Sequence, residues 1–101
     1  MLVTLAEKAL QNPQVNREYI DILEQLENGI NPRDIGRRTS KVGKHIYYIR
    51  GSHGRYVIRQ IGDNDAIEIL GIGSRSNTKN MKKFANLMNK LYDTNINSNA
   101  Y

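Results

Sequence analysis

The stretch "KHIYYIRGSHGRYVIRQIGDNDAIEILGIG", residues 44–73, decides how this chain folds. Its β-rich runs, "KHIYYIR", "RYVIRQI" and "AIEILGIG", are separated by Gly51-Ser52-His53-Gly54 and by Gly62-Asp63-Asn64-Asp65. β-Branched and aromatic side chains suit a pleated, half-buried surface, and short separators made of turn formers leave room only for hairpins. The runs therefore predict an antiparallel three-stranded meander. Alternation puts Ile46, Tyr48 and Arg50 on one side of the first strand and His45, Tyr47 and Ile49 on the other. In the second strand Tyr56, Ile58 and Gln60 oppose Arg55, Val57, Arg59 and Ile61. Neither strand divides cleanly into apolar and polar faces, and a bulge at Gly51 or Gly54 would shift the register by one residue.

Helices flank this core. Upstream, "TLAEKALQ" opens with a Thr4-x-x-Glu7 capping box and carries Leu5, Ala6, Ala9 and Leu10 before Asn12-Pro13 stops it. "NREYIDILEQLENG" follows, with Asn16 as N-cap, Tyr19, Ile20, Ile22, Leu23 and Leu26 at helical spacing, and Gly29 placed to end it. "INPRDIGRRTSKVG" reads as a loop or a single helical turn. Downstream, "NTKNMKKFANLMNKLYD" sets Met81, Phe84, Ala85, Met88, Leu91 and Tyr92 on one helical stripe. The polar, aperiodic "TNINSNAY" predicts a frayed tail. Residues 1–92 thus form a single domain and 93–101 a flexible extension. The layout is α+β: two N-terminal helices, an antiparallel sheet of three to four strands and a C-terminal helix, with helices expected on one face of the sheet only.

Composition narrows the chemistry. A chain of 101 residues suits one core, and the lack of cysteine excludes disulfides, thiolate metal sites and thiol nucleophiles. No apolar run approaches a membrane span, and "MLVTLAEKALQNP" lacks the basic start and cleavage site of an export signal. There is no phosphate loop, no Gly-x-Ser-x-Gly elbow and no metal-ligand spacing of histidines, so no cofactor or metal is expected. Asp63, Asn64 and Asp65 lack the ligand pattern of a calcium loop and read as a turn.

The net charge of +5 is local. Arg33, Arg37, Arg38, Lys41, Lys44, Arg50, Arg55 and Arg59 face only Asp34 along the middle of the chain, whereas residues 17–28 carry Glu18, Asp21, Glu24 and Glu27. Arginine dominates the basic stretch, and its forked guanidinium suits phosphate. A strongly positive face follows, with a solvated basic surface as the bland alternative.

From "GKHIYYIRGSHGRYVIRQIGDNDAIEILGIGSR" to the last helix, the chain resembles the RelE/ParE toxin superfamily, including its HigB-like members. Those chains read as an aromatic strand ending in Leu-Arg, a short turn, a Tyr-Arg strand, an acidic turn and an Ile/Val-rich strand ending in Gly-x-Arg or Lys-Lys. The resemblance implies roles for three cations: Arg50 in "YYIR", Arg55 in "GRY" and Arg75 in "GIGSR". RelE-type toxins are endoribonucleases that use such groups to hold phosphate and to stabilise the charge developing on it. The order at Arg55 is Arg-Tyr where the family usually has Tyr-Arg. The lysines of RelE's first long strand are replaced by Ile46 and Tyr48, and the tyrosine of its last helix by Met81.

Proton transfer must then come from elsewhere. His45 and His53 are the two histidines of the chain, both within the candidate region, and imidazole exchanges protons near neutral pH. Histidines with arginines resemble the metal-free logic of the wider group of barnase, EndoU, colicin-type and RelE ribonucleases. His45, Arg50, His53, Arg55 and Arg75 are the candidate catalytic residues; Lys44, Tyr48, Tyr56 and Arg59 are the candidates for holding the rest of the substrate. For the tyrosines, core packing is the cheaper account; for Arg59, a mid-sheet cation needs a carboxylate or phosphate partner.

The implied activity is cleavage of tRNA or mRNA through the ribose 2′-hydroxyl, neutralised by an acidic cognate antitoxin or immunity protein. The implied setting is the bacterial cytoplasm, reached either in place or as the C-terminal domain of a secreted, contact-delivered toxin. A non-enzymatic ParE-like gyrase inhibitor, or a basic nucleic-acid-binding module, is the alternative. The histidines favour the nuclease, because binding alone needs no titratable group.

Overall fold

A computed structural model describes residues 2–61, 66–75 and 78–97. The elements run α1 (Leu2–Leu10), α2 (Pro13–Glu27), a 3₁₀ turn (Pro32–Asp34), β1 (Arg38–Gly43), β2 (Ile46–Arg50), β3 (Gly54–Ile61), β4 (Ala66–Ser74) and α3 (Thr78–Tyr92). The strands form one antiparallel sheet in the order β1-β2-β3-β4. This is the α+β layout the sequence predicts, with four strands. The predicted turn at Gly62-Asp63-Asn64-Asp65 and the last four residues lie outside the described residues.

Helix boundaries differ from the pattern in instructive ways. Thr4 lies inside α1 rather than at its start. The second helix begins at Pro13, not after Asn16: the Asn12 side chain accepts from Gln14 N–H at 2.9 Å and Val15 N–H at 3.4 Å. Proline at the first helical position loses no hydrogen bond and brings a helical φ, so Asn12-Pro13 opens α2 as well as closing α1. At the other end Gly29 takes φ +82°. Its N–H donates to Leu26 O and that of Ile30 to Gln25 O, the paired bonds of a left-handed helix stop.

The larger correction concerns the basic stretch before the meander. Only Pro32–Asp34 is a helical turn, and Arg38–Gly43 is a strand that pairs with β2, Arg38 opposite Arg50. Val42 is the buried residue of this edge strand, which therefore carries almost no hydrophobic alternation to read. Its strand character comes from the free edge of β2, which needs partners for its N–H and C=O groups.

Both sheet faces are covered, contrary to the expectation of one free face. Ile49, Tyr56, Ile58 and Ile72 pack with Ala9, Val15, Ile22 and Leu26 of α1 and α2. Ile46, Tyr48, Val57 and Leu70 pack with Met81, Phe84, Ala85 and Met88 of α3. A bulge lies in β4 rather than at Gly51 or Gly54: Val57 pairs with Gly71 and Ile58 with Ile69, leaving Leu70 as the extra residue. α3 lies closer over Gly71 than over Gly73: a Cβ at Gly71 would sit 2.9 Å from Met88 Sδ and Phe84 Cε1. Leu91, placed on the apolar stripe by the sequence, is instead 53% exposed.

The expected free tail docks through Ile96. Asp93 turns left-handed at φ 53°, Asn95 N–H donates to Val42 O, and the Asn89 side chain brackets Ile96, accepting from its N–H at 2.7 Å and donating to its carbonyl at 2.9 Å. A side-chain amide thus does the work of a neighbouring strand, and Ile96 closes the α3-side core beside Val42 and Ile46. Among the described residues, no helix is long and apolar enough to cross a membrane.

Candidate functional site

The register lines up cations at one end of the sheet. Arg38 pairs with Arg50, Arg50 with Arg55, and Arg55 with Gly73, two residues before Arg75. Residues opposite one another in antiparallel strands share a face, and Tyr48 and Gly73 on this face meet α3. Arg38, Arg50 and Arg55 therefore form a row on the α3 side.

Arg55 is the unusual member. It is 3% exposed, yet no carboxylate lies within ion-pair distance among the described residues; its Nη1 donates to Gly51 O at 2.6 Å and to Gly54 O at 3.0 Å. Its Nε and that of Arg50 are buried and have no acceptor among the described residues. Burial depresses the Arg55 guanidinium, with Arg50 and Arg75 adding to the effect and Tyr48 and Glu18 opposing it. Arginine keeps its proton nonetheless, so this is a fixed positive charge with no counter-ion in contact among the described residues. Burial also raises the Tyr48 hydroxyl, against the pull of Arg55 and Arg50.

The exposed side chains around this row belong to the 51–54 turn and its neighbours. Arg75 Nη1 donates to Ser52 O at 3.2 Å, and its backbone N–H to His53 O at 2.9 Å. A hollow of about 240 Å³ is lined by Gly36, Arg37, Arg38, Arg50, Gly51 and Ser52. Another, of about 200 Å³, is lined by Asn12, Gln14, Ser52, His53 and Arg75. Arginine forks with free N–H groups at the wall of such hollows can take anionic oxygens in pairs.

The turn itself is anchored by a residue that the sequence reading left among the acidic surface. Glu18 of α2 is 6% exposed, and its carboxylate accepts from Ser52 N–H at 2.7 Å, Gly54 N–H at 2.9 Å, the Tyr56 hydroxyl at 2.9 Å and Arg37 Nη1 at 3.2 Å. His53 N–H adds a longer contact at 3.3 Å. Burial alone would raise the Glu18 carboxyl; the N–H groups of Gly54, Ser52 and His53 and the Tyr56 hydroxyl outweigh it and hold the pKa below its usual value. Arg37 is consumed here, paired with both Glu18 and Asp21. Gly51 must be glycine, because a Cβ would lie 1.9 Å from Glu18 Oε1. The signal was present in the sequence: Glu18 falls on the buried stripe of Val15, Ile22 and Leu26, where a carboxylate needs partners.

The structure places Arg50, His53, Arg55 and Arg75 at one end of the sheet, Arg50 and Arg55 in the row on the α3 side and His53 with Arg75 at the hollow beside Asn12 and Gln14, and removes other candidates from this end. His45 sits at φ 61° in the tight turn between β1 and β2, with Lys44 beside it, at the opposite end of β2. Arg59 lies at that far end too, opposite Ile46, and is paired with Glu68 across β3 and β4. Tyr56 is core: 1% exposed, on the α1–α2 face, its ring stacked on Tyr19 at 6.2 Å and its hydroxyl held by Glu18. Its hydroxyl pKa rises through burial and the Glu18 carboxylate. Tyr48 is buried beside the row, so its ring is not open to stack on a base. Among the described residues, no group of three His, Asp or Glu gathers to hold a metal ion.

Comparison with protein-family models, curated proteins and solved structures gives no match for this chain.

Proposed function

We propose that the chain is a RelE-like endoribonuclease toxin that needs no metal and cleaves RNA by attack of the ribose 2′-hydroxyl on the adjacent phosphate. The observation that carries this reading is Arg55, a buried arginine with no carboxylate partner among the described residues, in line with Arg38 and Arg50 and close to Arg75. Fixed guanidinium donors stabilise the extra negative charge of a pentacoordinate phosphorus without having to reorganise. In this scheme the 2′-oxygen bonds to phosphorus as the phosphorus–5′-oxygen bond breaks, giving a 2′,3′-cyclic phosphate and a 5′-hydroxyl end. Exposed His53, on the turn between Arg50 and Arg55, takes the 2′-hydroxyl proton, and solvent water gives a proton to the leaving 5′-oxygen. An acidic antitoxin or immunity protein covering the arginine end would block the site and neutralise its charge.

The separation of His45 from His53 favours a second reading, a module that binds single-stranded nucleic acid through the same arginines without cutting it. One experiment separates the two. Purified protein is incubated with total RNA in EDTA and the product ends are mapped. Discrete cyclic-phosphate ends, lost in Arg55→Met and His53→Ala, support the nuclease; bound but intact RNA supports the module.

A further inference from the structure

The 51–54 turn is gripped from both sides, one peptide group at a time. The peptide that presents Ser52 N–H to Glu18 presents Gly51 C=O to Arg55 Nη1. The next presents His53 N–H to Glu18 and Ser52 C=O to Arg75 Nη1. The third presents Gly54 N–H to Glu18 and His53 C=O to the backbone N–H of Arg75. Three successive peptides therefore each bridge one helix carboxylate to one of two site arginines.

From this arrangement we infer that Glu18 is a positioning residue: through the first two peptides it sets the direction of the Arg55 and Arg75 side chains, and through the third it holds the Arg75 backbone. Two physical effects combine. Successive N–H groups curled around an anion form a rigid nest, so the carbonyls on the reverse side are held in fixed positions. Each N–H bonded to a carboxylate also makes its own carbonyl a stronger acceptor, since hydrogen bonds in a chain polarise one another. Arg55 gains a counter-ion at one peptide's remove, and its Nη1 is held on the Gly51 and Gly54 carbonyls rather than on a carboxylate. A carboxylate touching Arg55 directly would have occupied the fork.

The catalytic part of this inference rests on the nuclease reading, and the test keeps the two apart. Arginine Nε–H signals are recorded by NMR for the wild-type chain and for Glu18→Gln, with the backbone amide spectrum as the check on folding. Glutamine retains one acceptor oxygen and points an NH₂ group at the turn. The expected result is displaced and broadened Arg55 and Arg75 signals with those of Arg33 and Arg59 unmoved, and a kcat lower by about 100-fold at unchanged KM for RNA. Tyr56→Phe is the control: it removes another bond to the same carboxylate but none from the turn, so it lowers stability and leaves the arginine signals in place.

If Glu18→Gln does not fold, Gly51→Ala, whose methyl displaces the carboxylate, is read in the same way. Unmoved Arg55 and Arg75 signals in a folded variant overturn the inference, as does a kcat equal to wild type. Displaced signals together with a wild-type protein that cuts no RNA uphold the positioning role and overturn the nuclease.

Discussion

His45 and His53 stand at opposite ends of β2, a strand of five residues. At about 3.3 Å per residue they are roughly 16 Å apart, too far to serve one phosphate as acid and base. His45→Ala and Arg59→Ala should therefore leave RNA cleavage at the wild-type rate, while His53→Ala and Arg75→Ala lower it. Initial rates on a labelled RNA check this, and a loss of cleavage in His45→Ala would remove the proposed assignment.

Arg55→Met separates stability from activity. Arg55 Nη1 donates to Gly51 O and Gly54 O, so an apolar side chain of similar length gives up these bonds while sparing the cost of burying the charge, and the unfolding free energy should fall by no more than about 3 kcal/mol. Removing a donor aimed at developing charge should cut cleavage by about 100-fold or more. Chemical denaturation and single-turnover rates measured on the same preparation give both quantities.

Acid stability should depend on Glu18. Its carboxyl is held below the ordinary value of 4.5 in the folded chain, so the unfolded chain takes up its proton more readily. The resulting stabilisation is fully present above that ordinary value and is lost as pH falls through the folded value. Urea midpoints should fall below about pH 4.5 in the wild type and change less over the same range in Glu18→Gln.

Gly51→Ala tests the contact between turn and helix by bulk alone. The added methyl would sit 1.9 Å from Glu18 Oε1, so the carboxylate must swing away and give up bonds from the turn. Hydrogen bonds to a charged group are worth about 1.5–3 kcal/mol each, and the variant should be less stable by at least about 2 kcal/mol. Thermal and urea unfolding would show it.

Salt should weaken RNA binding steeply. If Arg38, Arg50, Arg55 and Arg75 each neutralise a phosphate, the logarithm of the binding constant should fall against the logarithm of salt with a slope of about −3, at about −0.7 per contact for a single strand. Fluorescence anisotropy on a labelled oligoribonucleotide measures it. Arg75→Ala should flatten the slope, whereas Lys44→Ala, at the far end of the sheet, should not.

The sequence by itself determined the elements whose residues carry their own signal. Dense Ile, Val and Tyr runs between glycine-rich turns fixed β2, β3 and β4, and apolar spacing fixed α2 and α3. Arg50, Arg55 and Arg75 were singled out by the resemblance to RelE-type chains, not by a periodicity of their own. What only the tertiary structure decided is everything that depends on a partner distant along the chain. The Arg38–Gly43 segment has no alternation of its own and becomes a strand because β2 offers an unpaired edge. Ile96 is fixed by Asn89 and Val42, and Arg59 is silenced by Glu68 across the sheet. Glu18 shows the difference most plainly. In the sequence it is one acid among several; in the fold, burial makes its charge costly until three N–H groups 34–36 residues away and a tyrosine hydroxyl satisfy it.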